Sequence, residues 1–135
     1  MVILAAVAAG CTPKGPTLPG TVPVKGKILL PGGQPLTGGR LEFIPDIKPP
    51  GFDGFADVNK DGTFIVQTFK GDDGVVPGVY TVVVTPFDYH APGGSPTKLR
   101  NAGAIASRYQ EAKTSNLKYT FEERKDNDIT IQLER

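Results

Sequence analysis

Apolar and polar residues alternate in short runs along this chain, a period of two that predicts strands and not helices. Val22, Val24, Gly26, Ile28 and Leu30 fall on one side of an extended chain, with Pro23, Lys25, Lys27 and Leu29 on the other. Val22 to Leu30 therefore reads as a first strand with one face in a core. Pro31 to Leu36 is a turn-rich connection to a second strand, Arg40 to Pro45, in which Leu41 and Phe43 are expected to be buried. Asp46 to Asp53, with Pro49-Pro50-Gly51, is expected to be a surface loop. Near the other end, Leu117, Tyr119 and Phe121 alternate with polar neighbours, as do Ile129, Ile131 and Leu133. These give the last two strands, joined by a polar turn at Glu123 to Asp128.

The stretch Ala56 to Thr85 organises the middle. Asn59-Lys60-Asp61-Gly62 lies between the extended runs Phe55 to Val58 and Thr63 to Thr68 and has the residues of a type I turn closed by a left-handed glycine. It predicts a β-hairpin, with Asn59 capping the turn and Phe64 and Val66 pointing inward. On the first arm Phe55 competes with Ala56 and Val58 for the inward position. After a loop from Lys70 to Pro77, Gly78 to Thr85 is the most β-prone run of the chain, with valines on both sides, and so is expected to be a central strand.

Phe87 to Ala104 shows no sustained periodicity and reads as a long loop, while Ile105 to Lys113 predicts one or two helical turns placing Ile105 and Tyr109 against the core. Seven expected strands with alternating faces predict an all-β class, a single Ig-like β-sandwich with a short helical turn before its last two strands.

Composition narrows this picture. In 135 residues, 17 Gly and 13 Pro punctuate the apolar runs, as many short strands with frequent turns require. Fifteen basic and 14 acidic residues leave a net charge of +1 with no basic patch, which excludes a nucleic-acid partner. The single cysteine, Cys11, excludes an internal disulfide and a Cys-rich metal site.

Met1 to Gly10 is apolar and becomes small toward Cys11, which resembles the lipobox of bacterial lipoproteins. Ala8 stands where Leu is usual, and no basic residue precedes the apolar run. The resemblance implies a lipid anchor on Cys11, a membrane partner through that anchor, and an extracytoplasmic address at the cell envelope. Thr12 in place of Asp after the cysteine implies the outer membrane where the usual sorting rule applies. Thr12 to Thr21, rich in Pro and Gly, is expected to be an extended tether, so that residues 1–11 are the signal segment, 12–21 the tether and 22–135 the domain.

Four segments carry a second resemblance: Val24-Lys25-Gly26-Lys27-Ile28, Gly33-Gln34-Pro35-Leu36, Asp61-Gly62-Thr63-Phe64 and Pro77-Gly78-Val79-Tyr80-Thr81-Val82. In this order they resemble the carboxypeptidase regulatory-like, or transthyretin-like, domains. With Ala5 to Cys11 in front, and Arg108-Tyr109 and Thr114-Ser115-Asn116-Leu117 behind, the whole chain resembles the small transthyretin-like lipoproteins of planctomycete bacteria. The matching residues are turn formers and core positions, so the resemblance implies a fold and no reaction.

Candidate chemistry is sparse. Asp57-Val58-Asn59-Lys60-Asp61-Gly62 matches the first half of a calcium loop, which makes Asp57, Asn59 and Asp61 calcium candidates. Thr68 stands where the bidentate Glu of a helix-flanked loop belongs, and hairpin turn chemistry explains the same residues. Asp72 and Asp73 would add oxygens if the two loops share one end of the sandwich. His90 is the sole histidine, too few for the ureide hydrolases or the intradiol dioxygenases that share the transthyretin-like architecture, and no nucleophile elbow or zinc-helix motif is present.

No cofactor beyond calcium is implied. Tyr89 and His90, in the long loop, are the binding-surface candidates, and Tyr80, Tyr109 and Tyr119 are expected in the core or at its rim. The expectation is a monomeric, non-enzymatic envelope lipoprotein, structural or protein-interacting, with an envelope protein or polysaccharide as partner. The alternatives are a domain binding carbohydrate or calcium, or a regulatory subunit of an envelope enzyme.

Overall fold

The structure, a computed structural model, describes residues 20–46, 52–89, 92–123 and 127–135. Cys11 and the expected lipobox, the expected tether through residue 19, Pro49-Pro50-Gly51, His90 and the middle of the polar turn before the last strand lie outside the described residues.

Strands β1 (Val24–Leu29), β2 (Arg40–Pro45), β3 (Gly54–Asp57), β4 (Thr63–Ile65) and β5 (Gly78–Thr85) follow the order expected from the alternation. Two short strands, β6 (Phe87–Asp88) and β7 (Thr97–Lys98), precede β8 (Lys118–Phe121) and β9 (Asn127–Gln132). A four-stranded sheet in the order β3-β2-β5-β8 packs on a three-stranded sheet in the order β4-β1-β9, so the seven main strands make a two-layer, all-β sandwich.

β5 lies between β2 and β8, and Tyr80 to Val84 are buried without a break, which is why its valines occupy both sides. In β1, Val24 and Ile28 are fully buried while Lys25 and Lys27 are exposed. β1 pairs with β9 in parallel, from Val24 opposite Asn127 to Leu29 opposite Gln132. The first and last strands thus run side by side in one direction, a pairing that the whole domain between them makes sterically accessible.

The predicted hairpin is corrected by the sheet assignment: its two arms belong to different sheets. β3 pairs with β2 and β4 with β1, and the arms meet only near their ends. Phe55 and Gln67 exchange two backbone hydrogen bonds of 2.8 Å, and the turn is closed by Gly62 N–H to Asn59 O and Asn59 N–H to Thr63 O, each 2.9 Å. Gly62 has φ +85°, the left-handed conformation that the sequence assigned to it. Ala56 and Val58 face the core from one sheet and Phe64 and Val66 from the other, so the splayed hairpin closes one side of the sandwich. This settles the first arm: Phe55 points out.

The core is aromatic at its centre. Phe43 on β2 stands 6.0 Å from the ring of Phe64 on β4, across the sheets, and 6.0 Å from Phe121 on β8. Tyr80 reaches Phe121 at 5.7 Å. Such tilted pairs of buried rings add to the stabilisation from their area alone.

Three further differences follow from local chemistry. The segment 87–104 is not irregular throughout, because β6 and β7 pair as a small ribbon. The expected helical turns are two 3₁₀ turns, Ala102–Ala104 and Ser107–Gln110, with Ile105 between them, although Ile105 and Tyr109 are buried as expected. They are fixed from outside: Tyr109 Oη accepts a hydrogen bond from Glu134 N–H, and Arg108 donates to the carbonyls of Glu134 and Arg135. β9 starts at Asn127, inside the expected polar turn, where its buried amide donates to Glu122 O at 3.2 Å.

Candidate functional site

The splayed hairpin sets the outward side chains of two sheets next to each other. On β3 these are Phe55 and Asp57; on β4 and just after it they are Ile65 and Gln67. Arg40 opens β2 directly opposite Asp57, and its Nε donates to Asp57 Oδ1 at 3.0 Å. The same guanidinium lies 4.4 Å from the ring centre of Tyr89, which follows β6. Arg40 therefore ties the hairpin to the loop in which the sequence placed a binding surface.

Phe55, Ile65 and Tyr89 are 43%, 48% and 42% exposed, and they are the exposed large hydrophobic residues among the described ones. All three gather around the Arg40–Asp57 pair. A cleft of about 470 Å³ is lined by Phe55, Ile65, Gln67 and Asp72 together with that pair, and a second of about 270 Å³ by Lys60, Asp88 and Tyr89. Asp57 and Asn59 line both.

The calcium candidates are drawn to different partners. Asp57 pairs with Arg40. Asn59 Nδ2 donates to Thr63 Oγ1 at 3.1 Å, and Asp61 Oδ1 accepts from Thr63 N–H at 3.1 Å and Thr63 Oγ1 at 2.6 Å. It is thus Asp61, more than Asn59, whose side chain caps the turn. Asp73 accepts from the backbone N–H groups of Thr68, Phe69 and Lys70 at 2.8, 3.1 and 3.3 Å, fixing the next loop. Asp72, at φ +54°, lines the larger cleft. Among the described residues no three His, Cys, Asp or Glu side chains are grouped so as to hold a metal.

The hydrogen bonds from Thr63 hold the Asp61 carboxyl below the usual carboxylate range, and Lys118, bonded at 3.0 Å, does the same for Asp46. Each group's folded pKa lies below its unfolded value near 3.8, so its contribution to stability is complete above that value and is lost as pH falls through the folded one. In urea titrations from neutral pH to about pH 2, the difference between the parent and Asp61→Asn is expected to shrink on acidification. A constant difference would mean that the Asp61 charge has no part in the turn.

The tyrosines other than Tyr89 serve the fold. Tyr80 donates to Val76 O at 2.6 Å, and burial, with a smaller effect from Asp53, pushes its hydroxyl up to about 12. Tyr119 is half-buried and shifted upward by burial.

Sequence reasoning found Asp57, Asn59 and Tyr89 and passed over Arg40, Phe55, Ile65 and Gln67. The pairing of Arg40 with Asp57 follows from strand register, and the outward position of Phe55 from the splay of the hairpin. An apolar residue out of phase with its strand, such as Ile65 between Phe64 and Val66, was the available signal. No family model, curated protein or solved structure matches this chain.

Proposed function

We propose that the protein is a non-enzymatic binding module of the bacterial cell envelope, carried on a lipid anchor at Cys11 and a Pro/Gly-rich tether. Its partner, an envelope component, is engaged through the face around Arg40. The observation that carries this reading is the convergence of Phe55, Ile65 and Tyr89 on one ion pair at the side of a filled sandwich. Large apolar side chains gathered and rimmed by polar ones are a feature of interaction sites, whereas scattered ones are ordinary. The apolar segment ahead of Cys11 and the tether behind it support an extracytoplasmic address.

The test is co-sedimentation of the purified protein with envelope fragments from a planctomycete. The parent is expected to sediment with the fragments, and the double variant Phe55→Asp, Ile65→Asp to stay in solution with its melting temperature little changed. Equal sedimentation of the two proteins, or none of the parent, would contradict the reading.

A further inference from the structure

We infer that the paired clefts beside Arg40 form a binding groove for a neutral saccharide chain, an assignment that rests on the envelope-binding reading above. Three properties of the groove select that chemistry. The first is its mixture of surfaces: Phe55 and Ile65 offer apolar contact, and the amides of Asn59 and Gln67 offer both donors and acceptors. A sugar ring has the complementary make-up, with C–H groups on its faces and hydroxyls around its rim.

The second property is charge. The larger cleft holds Asp57, Asp72 and Arg40, and the one guanidinium is already bonded to a carboxylate at 3.0 Å. The surplus is negative, which disfavours phosphorylated or carboxylated ligands. For a cation the oxygens are not grouped. A neutral polyol needs neither charge: its hydroxyls donate to carboxylate and amide oxygens and accept from amide N–H groups. Gln67 and Asp72 have no side-chain partner among the described residues and are available to it.

The third is shape. At about 470 Å³ the larger cleft falls within the range of small-ligand sites. The two clefts adjoin, with Asp57 and Asn59 lining both and Tyr89 lining the second, a pair of neighbouring sites that suits linked rings better than one. Arg40 holds Tyr89 at the far end of this groove, 4.4 Å from the ring centre.

The experiment uses the full chain and the same envelope fragments, either digested with protease or oxidised with periodate, which cleaves vicinal diols. Binding is expected to survive protease, to be lost after periodate, and to weaken about tenfold in Gln67→Ala and in Asp72→Asn, an exposed pair of changes. Asn tolerates the positive φ of position 72, so the fold is kept, and the melting temperature verifies it. Binding lost to protease, or kept after periodate, would overturn the assignment to a saccharide with vicinal diols while leaving the envelope-binding reading intact. Unaltered affinity in both variants would remove the assignment from this groove. Absence of binding to untreated fragments would instead overturn the reading on which it rests.

Discussion

Phe43→Ala is expected to lower the unfolding free energy by about 3–5 kcal/mol, the range for truncating a fully buried aromatic ring. Phe43 is wholly buried and lies 6.0 Å from both Phe64 and Phe121, so its removal opens a cavity between the two sheets and strips contacts from each. The neighbours cannot collapse into the space easily, because Phe64 and Phe121 are fixed by their own strand pairings. For a domain whose total stability is expected to be about 5–15 kcal/mol, such a loss brings the protein near its unfolding threshold. Urea unfolding checks it, with Phe55→Ala as the control. Phe55 is 43% exposed, so its truncation is expected to cost well under ~1 kcal/mol. Comparable losses at the two positions would contradict the packing described for β2 and β3.

Gly74→Ala is expected to destabilise by about 3 kcal/mol, combining left-handed backbone strain with overpacking. Gly74 has φ +89°, and a Cβ there would stand 1.7 Å from Val22 O and 2.8 Å from Pro23 Cα. No side-chain rotation relieves a clash with backbone. The entry segment of the domain would have to leave the Val22–Val75 bridge, breaking hydrogen bonds of 2.8 and 3.0 Å. Gly33→Ala isolates the conformational part, because Gly33 has φ +92° and a Cβ there meets nothing within 4 Å, so the difference between the two variants is the steric part. The Gly33 change is expected to cost only the conformational share, about 1 kcal/mol. Equal effects at the two glycines would show that Val22 does not pack on the loop at Gly74.

What the alternation of residues made legible was each strand's inward face. Val24, Ile28, Leu41, Phe43, Phe64, Val66, Phe121 and Ile131 are buried as their phase requires, since one-sided burial imposes a period of two. Partnership between strands is a different kind of information. Nothing in Val24 to Leu29 or Asn127 to Gln132 specifies a parallel neighbour, because the same apolar faces would fit an antiparallel one.

The hairpin shows the same limit. Its turn residues were readable because Gly62 and Asp61 act locally, through φ and through hydrogen bonds to Thr63. The separation of its arms into two sheets depends on β1 and β2, more than ten residues away. The candidate site inherits this division. Tyr89 was readable as an exposed loop aromatic, whereas Arg40 became part of the site only through its register with Asp57.

The proposed lipid anchor would bring this face to an envelope, and the most direct test is the intact mass and N-terminal sequence of the mature protein from a bacterial host. A chain beginning at Cys11 and carrying acyl groups is expected, with both features lost in Cys11→Ser. An unmodified chain that retains residues 1–10 would contradict it.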